Sequence, residues 1–175
     1  MNSQAWWLPE LQGELSQGDI ISLLPIGILT SPPKFLKKGP TLGNNQQSWT
    51  EHLDYSEEKD GKTHFLTNGK MVHAIILSHD CELDKTSRVL VAPVVSLENL
   101  QEADRKKVLN QQTIHHMGLP DVPSLGDYYV DFRLTASVPK HVINSLGRLA
   151  SMSPDAVRRL QANIIYFYTR LNPSV

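Results

Sequence analysis

The sequence contains a single cysteine, Cys81, among its 175 residues. An intrachain disulfide is therefore excluded, which favours a reducing compartment. No apolar run approaches the ~20 residues that a membrane-spanning helix needs. The first 16 residues contain no lysine or arginine, so no signal peptide is visible. Together these absences predict a soluble cytoplasmic protein.

Several chemical signatures are also missing. No glycine-rich phosphate loop follows a predicted strand, which disfavours a nucleotide-binding α/β fold. The sequence has neither a C-x-x-C nor an H-E-x-x-H pattern, so no metal or other cofactor is predicted. The formal net charge is only -1, which excludes a strongly basic, histone-like protein.

Charge is nevertheless distributed unevenly along the chain. Residues 1–60 contain four lysines against eight carboxylates, whereas residues 133–175 contain six basic residues against one aspartate. A basic C-terminal end can create a local positive field although the total charge is close to neutral. A solvated helix face is the simpler interpretation, and an RNA-binding surface is the functional one.

The order of predicted elements favours a mainly β protein with C-terminal helices, an α+β fold. The chain has few predicted strands, a long insertion, and helices near its C-terminal end. This order is typical of the α+β class or of a small β-barrel with added helices. We predict one domain over 1–175, with a barrel at 18–134, a long loop insertion at 30–70 and C-terminal helices at 139–171. The predicted strands are 20–25, 72–78, 88–96 and 128–134, the predicted helices are 98–113, 139–149 and one that begins after Ser153, and 117–127 is a predicted loop.

The densest group of reactive side chains follows the strand at 72–78. We name His79, Asp80, Cys81 and Glu82 the Cys81 cluster. A histidine near the thiol could lower its pKa and make a nucleophile. Alternatively, thiolate and imidazole ligands, with a histidine from His115-His116, could bind zinc, and a structural role for a buried cysteine is the third interpretation.

Asp131 and Arg133 alternate on the strand predicted at 128–134, so their side chains share a face. They could pair with each other or reach the phosphate of a ligand.

Three segments resemble the core strands of the MazF/PemK-like toxins. Gly18-Asp19-Ile20 is similar to the opening of that family, 74–78 to its apolar strand that ends in serine, and 89–96 to the strand that follows. The resemblance implies an SH3-like β-barrel with added helices, often dimeric, in proteins that cut single-stranded RNA. It also implies that Ser96 occupies the position of a catalytic serine or threonine.

The sequence departs from that family just before the apolar strand. The family has Arg-Pro there, whereas this chain has residues 69–73, in which Lys70 or His73 could substitute. The basic residues predicted to contact RNA are Lys70, Arg88 and Arg133. The predicted catalytic residues are His79, Asp80, Cys81, Glu82 and Ser96.

Three functional hypotheses follow. The first is a divergent toxin-like protein that binds RNA or cleaves it as an endoribonuclease in a toxin–antitoxin or defence system. Under this hypothesis we also expect a protein antitoxin or a defence-system partner, and a homodimer. The second is a non-catalytic interaction module on the same barrel. The third is a cysteine-dependent hydrolase centred on Cys81.

Overall fold

A computed structural model of the chain describes residues 5–28, 34–41, 47–52, 64–66 and 68–171. The strands are β1 (Ile20–Ile28), β2 (Lys34–Thr41), β3 (Gln47–His52), β4 (His64–Leu66), β5 (Asn68–Ile76), β6 (Arg88–Ser96), β7 (His116–Val122), β8 (Gly126–Asp131), β9 (Ala136–Pro139) and β10 (Arg148–Ala150). The helices are α1 (Asp80–Leu83), α2 (Glu102–Leu109), α3 (Lys140–Asn144) and α4 (Pro154–Thr169), and 3-10 turns occupy Leu97–Asn99 and Phe132–Leu134.

The chain divides into two compact units. The larger unit comprises Met1–Leu24 with Val72–Val175, and the smaller one Pro25–Met71. In the smaller unit β2 pairs antiparallel with both β3 and β4. The predicted long loop was therefore wrong at β2 and β3, because pairing with neighbours overrides the glycines and prolines of this segment. The single-domain organisation stays a prediction.

A seven-stranded sheet has the order β10-β1-β5-β6-β8-β7, with β9 paired to β6. Every pair whose register is described is antiparallel. The predicted α+β class with a mainly antiparallel sheet and a C-terminal helix is confirmed. Among the described strands none joins β7 to β10, so the sheet is not closed and the predicted SH3-like barrel is not confirmed.

One face of the sheet packs against α4. Alternation along the strands turns Ile75, Val94 and Val130 to this face, where all three are buried with Leu160 of the helix. Ser153 caps α4 by accepting a hydrogen bond from the Ala156 amide at 3.3 Å, as the sequence predicts. In the part of the chain that is described, no helix has the length and apolar character to cross a bilayer.

Two further predicted elements differ from the structure. Residues 117–127, predicted as a loop, contain β7 and the start of β8, because pairing between these strands overrides the prolines and glycines of the segment. Gly118 is needed in β7, since a Cβ atom there would lie 2.9 Å from the carbonyl oxygen of Val108 on α2. The predicted helix at 139–149 ends early, because Arg148–Ala150 pairs with β1 as β10.

A buried carboxylate connects the start of β1 to β10. Asp19 is fully buried and accepts hydrogen bonds from the Ser151 hydroxyl at 2.6 Å and the Ser16 amide at 2.9 Å. Arg148 donates to the same carboxylate at 3.1 Å and also to the backbone carbonyls of Gln12 and Glu14. Because charge and donors are matched, this buried group is satisfied.

Candidate functional sites

The Cys81 cluster lies at the end of β5 and is exposed to solvent. His79 is the N-cap of α1. The four residues of the Cys81 cluster, from His79 to Glu82, are all exposed. Ser78, just before the cluster, is buried, and its hydroxyl accepts from the Leu90 amide at 2.8 Å. The short turn of α1 therefore presents the cluster on the surface instead of burying it.

Within the cluster, His79 contacts Cys81 directly. The His79 Nδ1 atom lies 3.2 Å from Cys81 Sγ and also accepts from the Cys81 amide at 3.3 Å. An unprotonated ring nitrogen has one lone pair, so Nδ1 can accept either the Cys81 amide proton or the thiol proton. This contact is the arrangement that activates a thiol nucleophile.

Asp80 serves a different purpose. Its Oδ1 atom accepts from the Gln17 amide at 2.6 Å, and the Gln17 side chain donates to the Leu77 carbonyl at 2.7 Å. The carboxylate thus anchors the segment before β1 and does not orient the His79 ring. Among the described residues, no group of three or more His, Cys, Asp or Glu side chains could hold a metal ion, so the zinc alternative finds no site there.

Ser96 lies far from the Cys81 cluster. It ends β6, whereas Ser78 bonds to Leu90 six residues earlier on that strand. At about 3.3 Å per residue, the two positions are roughly 20 Å apart. The predicted catalytic residues are therefore not brought together into one site.

Ser96 borders a cavity of about 350 Å³, which we name the Ser96 cleft. The Ser96 hydroxyl oxygen accepts from the Glu98 amide at 3.2 Å and caps the following 3-10 turn. Strand register places Ser96 opposite Tyr128, whose ring has an edge contact with His73 at 6.3 Å. The cleft is lined by Ser96, Leu97, Glu98, Arg105, Leu125, Gly126, Asp127 and Tyr128.

The three basic residues predicted to bind RNA lie in different surroundings. Arg88 is held by Ser137 of β9, to which it donates through Nε at 3.0 Å and through Nη2 to the carbonyl. Lys70 is exposed on β5 in the smaller unit. Arg133, in contrast, belongs to a cluster of titratable groups.

This cluster joins β7, β8 and the turn that follows β8. The β7–β8 register places His116 opposite Asp131. Arg133 donates to both Asp131 oxygens, at 2.9 Å through Nε and 2.7 Å through Nη2. Its Nη2 atom also lies 3.0 Å from His116 Nε2. The predicted Asp131–Arg133 pair is present, and the histidine that completes it was missed.

The electrostatics of this cluster keep the histidine neutral. Burial lowers the pKa of His116 below its usual value, and Arg133 and His115 lower it further, against the raising effect of Asp131. Burial tends to raise the pKa of Asp131, but the hydrogen bonds and charge of Arg133 outweigh burial and leave this pKa below its usual value. Burial, followed by the charge of Asp131, raises the pKa of Tyr129, whose ring contacts His116 at 5.0 Å.

Exposure differs sharply among the three side chains. Asp131 is 8% exposed and His116 17%, whereas Arg133 is 54% exposed. A buried carboxylate therefore holds an arginine whose remaining donors face solvent beside a neutral imidazole. Perturbed pKa values clustered in this way are typical of functional sites.

Aromatic contacts continue this cluster toward the end of α4. The rings of His116 and His115 lie 6.4 Å apart, and His115 contacts Phe167 at 5.9 Å. The Arg170 guanidinium lies 5.5 Å from the Phe167 ring, and Tyr168, 58% exposed, contacts the same ring at 4.9 Å. We name this set the arginine–histidine surface: Arg133, His116, His115, Phe167, Tyr168 and Arg170.

Part of this surface could be predicted from the sequence. The sequence suggests His115-His116 only as a source of zinc ligands, yet His116 begins a strand. Tyr168 lies near the end of α4 and is exposed. The turn residues Ser124 and Gly126, both with positive φ, could have indicated the β7–β8 hairpin that pairs His116 with Asp131.

Comparison with known proteins adds no assignment. No family model matches this chain, and a search of curated proteins finds no significant match.

Proposed function

We propose that this protein binds single-stranded RNA on the arginine–histidine surface and cleaves it, with His116 as the general base and Arg133 as the cation that binds phosphate. The observation that carries the proposal is the contact of 3.0 Å between a half-exposed arginine and a largely buried histidine. A cation for phosphate and a base of suitable pKa are the two groups that RNA cleavage needs.

In this mechanism Arg133 moves its Nη2 donor from His116 to a phosphate oxygen of the bound RNA. The freed Nε2 atom of His116 then accepts the proton of the neighbouring 2′-hydroxyl. The 2′-oxygen attacks phosphorus and forms a 2′,3′-cyclic phosphate, and the 5′-oxygen leaves with a proton from water. Asp131 keeps Arg133 in place, because its bidentate pairing fixes the guanidinium plane.

The rest of the surface would position the strand. The exposed Tyr168 ring can stack on a base, and Arg170 beside it can contact phosphate. The excess of basic residues in 133–175 favours approach of a polyanion.

Salt dependence of RNA binding checks this part of the proposal. We expect the logarithm of affinity for a single-stranded RNA to fall linearly with the logarithm of salt concentration. Arg170→Gln should reduce that slope by about 0.7 because one phosphate contact is lost. Tyr168→Ala should weaken binding at every salt concentration by about 1–3 kcal/mol with an unchanged slope.

Arg158→Gln is the matched control for Arg170→Gln. Arg158 lies near the start of α4 and pairs with Asp155. Twelve residues of helix separate it from Arg170, about 18 Å. Equal effects of the two arginine substitutions would contradict a local RNA site at the end of α4.

The proposal includes divergent membership of the MazF/PemK-like family. Its support is the position of the matching segments: Gly18-Asp19-Ile20 opens β1, and 89–96 forms β6. Under this proposal the open sheet is a modified SH3-like barrel, and a protein antitoxin or defence-system partner and a homodimer are expected. RNA that is bound but remains uncut would instead support the non-catalytic interaction module.

A second candidate function, a cysteine-dependent hydrolase, is favoured by the contact of 3.2 Å between His79 and Cys81. If His79 promotes the thiolate, iodoacetamide should label Cys81 faster than a model thiol, and His79→Ala should slow the labelling. His141→Ala, at an exposed histidine on α3, is the control. A labelling rate that does not depend on His79 would leave the cluster without this function.

A further inference from the structure

The Ser96 cleft is separate from the Arg133–His116 contact and is not used by the mechanism above. Ser96 pairs with Tyr128 near the start of β8, whereas Asp131 ends that strand. Three residues of strand separate Tyr128 from Asp131, about 10 Å. The volume of about 350 Å³ is at the lower end of the range for small-ligand sites and suits a single base or nucleoside.

Polar groups with unused hydrogen-bonding capacity line this cleft. Among the residues that the structure describes, neither the Glu98 carboxylate nor the Tyr128 hydroxyl has a hydrogen-bond partner. The Ser96 hydroxyl accepts a hydrogen bond from the Glu98 amide and donates none to the described residues. A ligand in the cleft can therefore bond to a carboxylate and two hydroxyls without displacing an existing side-chain contact.

Arg105 supplies a cation at the same cleft. Its Nε atom donates to the Leu97 carbonyl at 3.3 Å, which places the guanidinium next to the backbone that precedes Glu98. Its Nη1 atom has only a long contact of 3.8 Å with Glu102. Among the described residues the Nη2 atom of Arg105 has no partner and can bond to a ligand, while Leu97 and Leu125 provide apolar walls.

Glu98 and Arg105 both line the cleft, and a site that offers a carboxylate and a guanidinium suits guanine. Guanine presents two adjacent donors, N1–H and N2–H, to a carboxylate and two acceptors, O6 and N7, to an arginine. Cytosine offers a single amino group, and uracil a single ring N–H. We propose that the Ser96 cleft binds a guanine base, with Glu98 accepting from N1–H and N2–H and Arg105 donating to the acceptor side. Selection of guanine in an RNA substrate rests on the proposed function, whereas binding of a guanine nucleotide does not.

Titration with nucleoside monophosphates, followed by NMR, tests this site. GMP should bind and shift the resonances of Glu98 and Tyr128. IMP, which lacks the N2 amino group, should bind at least about tenfold more weakly, because a hydrogen bond to a charged group is lost. Glu98→Gln should weaken GMP binding by a similar factor. Asp104→Asn, an exposed change on α2 outside the lining residues, should leave GMP affinity unchanged.

Equal affinity for GMP and IMP, tighter binding of CMP, or GMP binding that is insensitive to Glu98→Gln would overturn the guanine site. The two proposals fail separately. RNA cleavage without GMP binding removes the cleft proposal and retains the cleavage site. GMP binding that depends on Glu98, in a protein that cuts no RNA, removes the cleavage proposal and retains the cleft.

Discussion

His116→Gln is expected to lower the rate of RNA cleavage by a factor of about 10²–10⁴, the usual contribution of a general base. Glutamine keeps a polar group near Arg133 but cannot accept the 2′-hydroxyl proton. RNA affinity should change little, because the neutral imidazole carries no charge for phosphate. Cleavage of a labelled single-stranded RNA, with detection of 2′,3′-cyclic phosphate ends, measures the rate, and filter binding measures the affinity.

The pH profile of the wild-type protein provides a second readout of the same residue. The base must be neutral, so the rate is highest above its pKa and falls as pH decreases through it. Because burial holds the pKa of His116 below its usual 6.5, this acidic limb should lie below pH 6.5. His141→Gln, at an exposed histidine, should retain the full rate and the same limb. A His116→Gln protein that cleaves at the wild-type rate would contradict the mechanism.

His116 is a better test position than Arg133. Removal of Arg133 would leave the Asp131 carboxylate, 8% exposed, without its counter-charge. Breaking a buried pair in this way is strongly destabilising, so lost activity could follow from unfolding. His116→Gln leaves the Asp131–Arg133 pair intact and separates chemistry from stability.

Leu160→Ala is expected to destabilise the protein by about 2–5 kcal/mol, the cost of a cavity in a packed core. Leu160 is 0% exposed and lies in the core cluster between α4 and the sheet. Chemical denaturation followed by circular dichroism measures the change in the free energy of unfolding.

Ile165→Ala on the same helix is the control for Leu160→Ala. Ile165 is 49% exposed, so its truncation should change stability by no more than about 0.5 kcal/mol. A Leu160→Ala protein with the midpoint of the wild type would show that α4 does not pack on the sheet as described.

Local signals explain which elements the sequence predicted. The run of β-branched residues at 88–96 predicted β6 with the bounds observed, and Ser153 with Pro154 predicted the start of α4. β10 could not be predicted in the same way, because its three residues become a strand only by pairing with β1, more than 120 positions earlier in the chain. Such pairing leaves no periodic pattern in a short segment.

The residues of the candidate sites also divide into those that local sequence predicts and those that distant contacts bring together. Asp131 and Arg133 are near in sequence, so their pairing could be predicted, although strand alternation is not its cause because Arg133 lies in the 3-10 turn that Asp131 caps. His116 reaches them only through the β7–β8 hairpin, which the prolines and glycines at 117–127 had indicated to be a loop. The contact of His115 with Phe167 joins segments 52 positions apart and likewise depends on tertiary packing.

The buried Asp19 carboxylate has a consequence for synthesis of the protein. Its side-chain donors, Arg148 and Ser151, lie 129 and 132 positions later in the chain. A ribosome therefore makes the acceptor long before either donor, and a nascent chain that has not reached position 148 lacks both the counter-charge and β10. Contacts of such long sequence separation slow folding and expose strand edges meanwhile. We expect the growing chain to need chaperone protection until β10 emerges and pairs with β1.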